Sequence, residues 1–281
     1  MDFDLSLSPG RIRARRWGDA GAPLLLCVHG LSANLTAFAK LGERLGGPDH
    51  QVVAFDLRGR GRSEVTPAGT YGIDSHARDV LGIADQLGAD EFDVAGWSLG
   101  ALISMRVALH AAHRLRTVTL IDHAGPSDSA ALVPIRDGLA RLDAVVPTPE
   151  AYLEAIRATD VIEPWSPFWD AYYRYELEQL DDGYWWASTS REASEEDLYQ
   201  DWPRDWRDHW RALTMPTLLI RAMQPLNGAL IVPDRAVAGL RAANPAVRVV
   251  ETRDSNHFTC MVDPVALSAI EDHLRQRISP G

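Results

Sequence analysis

Short apolar runs alternate with stretches of helical periodicity along most of the chain. The runs at 11–17, 24–28, 51–55, 92–95, 116–121, 217–221 and 247–251 read as strands. Between them, 36–45, 73–87, 99–112, 233–243 and 264–277 read as helices. This alternation predicts an α/β fold with a mostly parallel central sheet and helices on both faces. It breaks at 125–213, a long stretch of helical character that holds seven of the nine tryptophans. The expected organisation is therefore a core formed by 1–124 and 214–281, with a Trp-rich helical insertion at 125–213.

Composition narrows the setting. With 281 residues and 46% hydrophobic content, the chain can bury a sizeable core. Its net charge of -11 argues against nucleic acid or an anionic membrane surface as a partner, since both select basic patches. The acidic start Met1-Asp2-Phe3-Asp4 does not read as a secretory signal, and no apolar run approaches the roughly 20 residues of a membrane span. A soluble cytoplasmic protein is expected, and nothing in the sequence speaks to its oligomeric state. Cys27 and Cys260 lie in hydrophobic settings and read as buried free thiols. No Cys/His cluster has ligand spacing, and the loop from Arg58 to Arg62 lacks a phosphate-binding signature. Neither a metal nor an organic cofactor is expected.

The richest local signal is Gly96-Trp97-Ser98-Leu99-Gly100, a G-x-S-x-G pentapeptide between a strand and a helix. In that context the serine sits on a tight, strained turn with its hydroxyl exposed, and the glycines leave room for the neighbouring strand and helix. A serine hydroxyl is a poor nucleophile by itself, so it needs a base to take its proton and a group to orient that base.

Four motifs in fixed order resemble the α/β-hydrolase superfamily: 24–31 ending in Val28-His29-Gly30-Leu31, Asp56-Leu57-Arg58-Gly59-Arg60-Gly61-Arg62-Ser63, the serine pentapeptide, and Asn256-His257-Phe258. The resemblance covers nearly the whole chain outside the Trp-rich segment and implies a helical cap at 125–213. It further implies Ser98 as nucleophile and His257 as base, with the backbone amides of Leu31 and Leu99 forming an oxyanion hole. His29 is then structural, His123 has no clear role, and the Asp56 loop is structural.

The acid departs from the common pattern. No carboxylate follows Leu218-Leu219-Ile220-Arg221 within Ala222-Met223-Gln224-Pro225-Leu226-Asn227-Gly228-Ala229. Some members of the superfamily take the acid from the end of the preceding core strand, where this chain has Asp122. Asp122 is the favoured acid, while Asp234, at a helix N-terminus, Asn227, or no acid at all remain open.

A serine at the elbow implies acyl transfer, so the expected partner is a small-molecule ester or lactone. Carbon-carbon bond hydrolysis, acyl transfer to another acceptor and a hydrolase-like ligand receptor are the alternatives. Substrate contacts are expected from Trp97, Trp185, Trp206 and Phe258. Trp202, Trp206 and Trp210, and Trp165 with Trp169, fall at helical spacing, as packing stripes or as binding walls. Glu195, Glu196, Asp197, Asp201, Asp205 and Asp208 crowd the same region and disfavour a strongly anionic substrate. A bulky neutral apolar or aromatic compound is expected.

Overall fold

The computed structural model describes residues 1–199, 203 and 205–275. In chain order its first six strands are β1 (Asp2–Ser6), β2 (Arg11–Trp17), β3 (Leu24–Val28), β4 (Gln51–Phe55), β5 (Phe92–Trp97) and β6 (Leu115–Ile121). Then come β7 (Val145–Val146), β8 (Leu177–Gln179), β9 (Trp185–Ala187), β10 (Thr217–Ala222) and β11 (Arg248–Thr252). Eight of them form one sheet in the order β1-β2-β4-β3-β5-β6-β10-β11. The β1–β2 and β2–β4 pairs are antiparallel and every other pair in this sheet is parallel.

Strand β3 shows why the sheet is buried. All five of its residues are apolar and buried, as a strand covered on both faces requires. Leu24, Leu26 and Val28 pack with α2 (Ile73–Gln86) and α3 (Leu99–Ala111), whereas Leu25 and Cys27 point the other way. They meet α1 (Ala39–Leu45) and α10 (Pro264–Arg275). Cys27 and Cys260 are buried and free.

Strand β1 has no counterpart in the sequence reading. It is an edge strand in which only Leu5 is buried. Asp2 and Asp4 alternate outward and pair with Arg15, Arg11 and Arg13 of β2, so there is no apolar run to mark it.

Between β6 and β10 the chain forms α4 (Val133–Asp137), α5 (Pro149–Arg157), α6 (Pro167–Tyr175), α7 (Arg191–Tyr199) and α8 (Arg207–Ala212). Proline opens α5 and α6 at the first turn, where its missing N–H costs nothing. This segment is not purely helical, because β7, β9 and β8 form a small antiparallel sheet. Strands of two or three residues are too short to show an alternating pattern in sequence. Helix α8 contacts α3 and α9 (Asp234–Ala243) beside the main sheet. Among the described residues, no helix is long and apolar enough to cross a membrane.

Charged contacts fasten the insertion to the segment that follows β4. Asp197 of α7 accepts from Arg60, from the Gly72 amide at 2.6 Å and from His76 Nε2 at 2.9 Å, with both ionic side chains fully enclosed. Arg62 donates to Glu178 at 2.9 Å and to the Leu177 carbonyl at 3.1 Å. Glu196 accepts from the Gly69 and Tyr71 amides. Asp197, Glu178 and Glu196 thereby tie the insertion to residues 60–76.

Candidate active site

The turn after β5 has the strain its sequence implies. Ser98 sits at φ 57° and ψ −119°, a backbone conformation that L-residues rarely adopt. Its amide donates to the Ile121 carbonyl at 2.9 Å, anchoring the turn to the end of β6. The flanking glycines are sterically compelled. A Cβ on Gly96 would lie 2.1 Å from the Gly100 carbonyl oxygen, and one on Gly100 would lie 1.9 Å from that of Val28.

Asp122 directly follows β6, and its own positive φ of 47° turns its side chain out of the strand line. The Asp122 amide donates to the Ile220 carbonyl at 2.8 Å, and Oδ1 accepts from the Ala222 amide at 2.9 Å. The last residue of β10 thus steadies a carboxylate carried by β6. The other oxygen, Oδ2, lies 2.8 Å from His257 Nδ1, and His257 Nε2 lies 2.9 Å from Ser98 Oγ. Assigned from this network, Nδ1–H donates to Asp122 and the Ser98 hydroxyl donates to Nε2. Ser98, His257 and Asp122 are 8%, 3% and 1% exposed, so the line runs from the cavity floor into a dry interior.

The loop bearing His257 is held by its neighbours. Asn256 Oδ1 accepts from the Phe258 and Thr259 amides at 2.9 and 3.1 Å, a local side-chain turn. Its Nδ2 donates to the Val161 carbonyl at 2.6 Å, joining this loop to the insertion.

Leu31 and Leu99 are buried, and among the described residues neither amide N–H donates a hydrogen bond. His29 shapes the first of these positions. Its Nδ1–H donates to the Gly30 carbonyl at 2.7 Å and its Nε2 accepts from the Leu57 amide at 2.9 Å. That bonding requires a neutral ring, and burial pushes its pKa down to about 3.

The other candidates fall elsewhere. Asp234 lies at the start of α9 with its side chain 95% exposed and bonds Arg221 at 2.6 Å. Asn227 borders the cavity and donates to the Ala130 carbonyl at 3.2 Å. His123 is buried, and desolvation followed by the nearby His257 holds its pKa down at about 3. Asp56 accepts from the Leu35 and Arg62 amides at 2.7 and 2.8 Å and from the Tyr175 hydroxyl at 2.8 Å, which makes it a loop organiser.

A cavity of about 650 Å³ opens over Ser98 and His257, between the carboxyl ends of the central strands and the insertion. Trp97 and Phe258 line it. Trp185 and Trp206 are corrections to the sequence reading, since neither reaches the cavity wall. Trp185 packs as a half-buried residue of β9. Trp206 packs into the core cluster against Gly125, whose positive φ and missing Cβ let the indole approach. Trp202 and Asp201 lie outside the described residues, and Trp210 packs with its Nε1–H on the Ala124 carbonyl at 2.8 Å. Trp165 stacks on Tyr173 at 5.8 Å, so both tryptophan stripes serve packing where they are described.

The residues that sequence reasoning missed are Arg141, Tyr152, Tyr172 and Tyr173, all in the cavity wall. Trp169, Tyr172 and Tyr173 stand at i, i+3 and i+4 on α6, a signal that the chain offered. Arg141 offered none. Its guanidinium is paired with Glu176, which is fully enclosed and also accepts from the Tyr152 hydroxyl at 2.7 Å.

Residues 23–264 match the family described as the alpha/beta hydrolase fold. A 3-hydroxybutyrate-oligomer hydrolase from Cupriavidus necator is 28% identical, the match covering 95% of each chain. A 2-hydroxymuconate semialdehyde hydrolase from Pseudomonas sp. strain CF600 is 32% identical over 50% of this chain and 48% of its own. Among solved structures, an α/β hydrolase from Novosphingobium aromaticivorans superposes with a TM-score of 0.84 at 25% identity, covering 98% of both chains.

Proposed function

The chain belongs to the α/β-hydrolase family, and from that premise we propose that it is a serine hydrolase cleaving a neutral carboxylic ester or lactone through an acyl-enzyme. The observation that carries this reading is the hydrogen-bonded line from Ser98 Oγ through His257 to Asp122, opening onto a largely apolar cavity. Ser98 attacks the acyl carbonyl while His257 takes its proton and returns it to the leaving oxygen. Asp122 holds the ring in the tautomer that presents a free Nε2 lone pair and stabilises the imidazolium that forms. The unpartnered amides of Leu31 and Leu99 are available to the oxyanion, and water then repeats the sequence on the acyl-enzyme. Trp97 and Phe258 contribute to the wall for the acyl group.

Carbon-carbon bond hydrolysis is the second reading, favoured by the Pseudomonas relative. Steady-state hydrolysis of p-nitrophenyl esters, from acetyl to bulky aryl acyl groups, tests the first. Sustained turnover that is lost in Ser98→Ala supports it. No turnover on any ester sinks it in favour of the second reading, and turnover indifferent to Ser98 sinks both, since both place the chemistry on this serine.

A further inference from the structure

Helix α6 presents Tyr172 and Tyr173 to the cavity with their rings edge-to-face, centroids 4.8 Å apart at 88°. The residues are only 4% and 6% exposed, yet neither hydroxyl has a hydrogen-bond partner among the described residues. A buried phenol ordinarily finds a partner, because leaving a polar group unsatisfied costs about 1–3 kcal/mol. Neither hydroxyl is sealed off in the manner of Trp169 Nε1, and both residues line the cavity. These are two donors without acceptors in the cavity wall.

The chemistry beside them says what they can take. Burial pushes both phenols well above their ordinary range, so they remain protonated donors. Arg141 is the cation nearest to hand, but its N–H groups are all engaged. Nε and Nη2 donate to Glu176 at 3.2 and 3.3 Å, Nη2 also to the Ser32 carbonyl at 2.6 Å, and Nη1 to the Gly138 carbonyl at 2.7 Å and Ser32 Oγ at 3.2 Å. Arg141 and Glu176 neutralise each other, leaving no free N–H for a carboxylate.

We propose that the Tyr172 and Tyr173 hydroxyls form an acceptor subsite that recognises a second, uncharged oxygen on the substrate, a keto, ether or ester oxygen carried by the acyl group away from the scissile carbonyl. The inference rests on the reading that this cavity is the acyl site, and it narrows the substrate class to neutral acyl groups bearing an internal oxygen acceptor.

The test is binding of methyl esters to the Ser98→Ala protein, followed by tryptophan fluorescence. Methyl hexanoate is compared with its 3-, 4- and 5-oxo forms and with the monomethyl ester of a dicarboxylic acid of similar length. At least one oxo ester should bind about 2- to 10-fold more tightly than the plain ester, the range of one net hydrogen bond. In the Tyr172→Phe/Tyr173→Phe background that ratio should fall to about one. Each ratio is taken within one protein, so a change in folding cancels.

Equal affinity at every oxo position, a preference that survives both phenylalanines, no binding at all, or tightest binding by the carboxylate ester would each overturn the proposal. Wild-type turnover of the same esters is read separately. Oxo esters that bind with the expected preference but are never cleaved would sink the hydrolase reading while leaving the subsite standing.

Discussion

The indole Nε1–H of Trp97 donates to the backbone carbonyl of His257 at 2.9 Å, so the residue beside the serine holds the histidine that bonds it. Cys260 Sγ–H reaches the same carbonyl at 3.2 Å. The two rings lie 5.7 Å apart, and Phe258 meets the indole edge-on at 6.2 Å. Trp97→Phe removes the donor and keeps an aromatic wall. It should lower kcat about 3- to 10-fold, the worth of one hydrogen bond, with KM little changed. A rise in KM at constant kcat would instead make Trp97 a wall residue alone.

Asp122 and Asp234 make opposite predictions. Asp122 is buried and bonded to His257, whereas the Asp234 side chain is exposed and bonded to Arg221. Asp122→Asn should cut kcat by about 10⁴-fold, since an amide at that place favours the wrong tautomer. Asp234→Asn should stay within about twofold of wild type. Loss in the second variant alone would reverse the assignment.

How much of this could be read from residues follows from range. The β3 run and the glycines around Ser98 report local requirements, namely double-sided burial and close backbone approach, and both are written in neighbouring residues. The identity of the carboxylate beside His257 was legible only as a preference. It depends on Ala222 of β10 donating to Asp122, a pairing 100 residues apart in sequence. The cavity wall was read least well, because whether Trp185, Trp206 or Tyr173 faces it depends on how the insertion folds over the sheet. Tryptophan count drew attention to the packing residues, while the tyrosines did the lining.

Buried neutral histidines set the acid limit. Desolvation holds His29 and His123 at about 3 and His209 at about 4, against an ordinary 6.5. The unfolded chain binds these protons below about pH 6.5 and the fold does not, so stability falls as pH drops from there toward 4. Asp56 acts oppositely, because burial raises it from 3.8 to about 6 and the fold holds its proton more tightly across that interval. One carboxyl opposes three histidines. Melting temperature should therefore fall between pH 6.5 and 4, and calorimetry at pH 5 in buffers of different ionisation enthalpy should detect net proton uptake on unfolding. Net release would contradict the neutral state of these rings.

Glu176 is where charge selectivity resides if the cavity takes neutral substrates. It is fully enclosed, pairs with Arg141 and accepts from Tyr152, so it cancels the cation in the cavity wall. Glu176→Gln keeps the shape and leaves the Arg141 charge uncompensated. Removing one partner of a buried pair costs about 3–5 kcal/mol, so the unfolding midpoint in urea should drop. Selectivity should move in the opposite sense to stability. The freed guanidinium can meet a carboxylate, and a charge-assisted hydrogen bond is worth about 1.5–3 kcal/mol. The kcat/KM of a carboxylate-bearing ester relative to its neutral analogue should therefore rise by about tenfold or more in the variant. Both esters are measured on one preparation, so the ratio does not depend on the fraction folded. An unchanged ratio would mean that the Arg141–Glu176 pair lies out of reach of the acyl group, and that neutrality of the substrate is imposed elsewhere in the cavity.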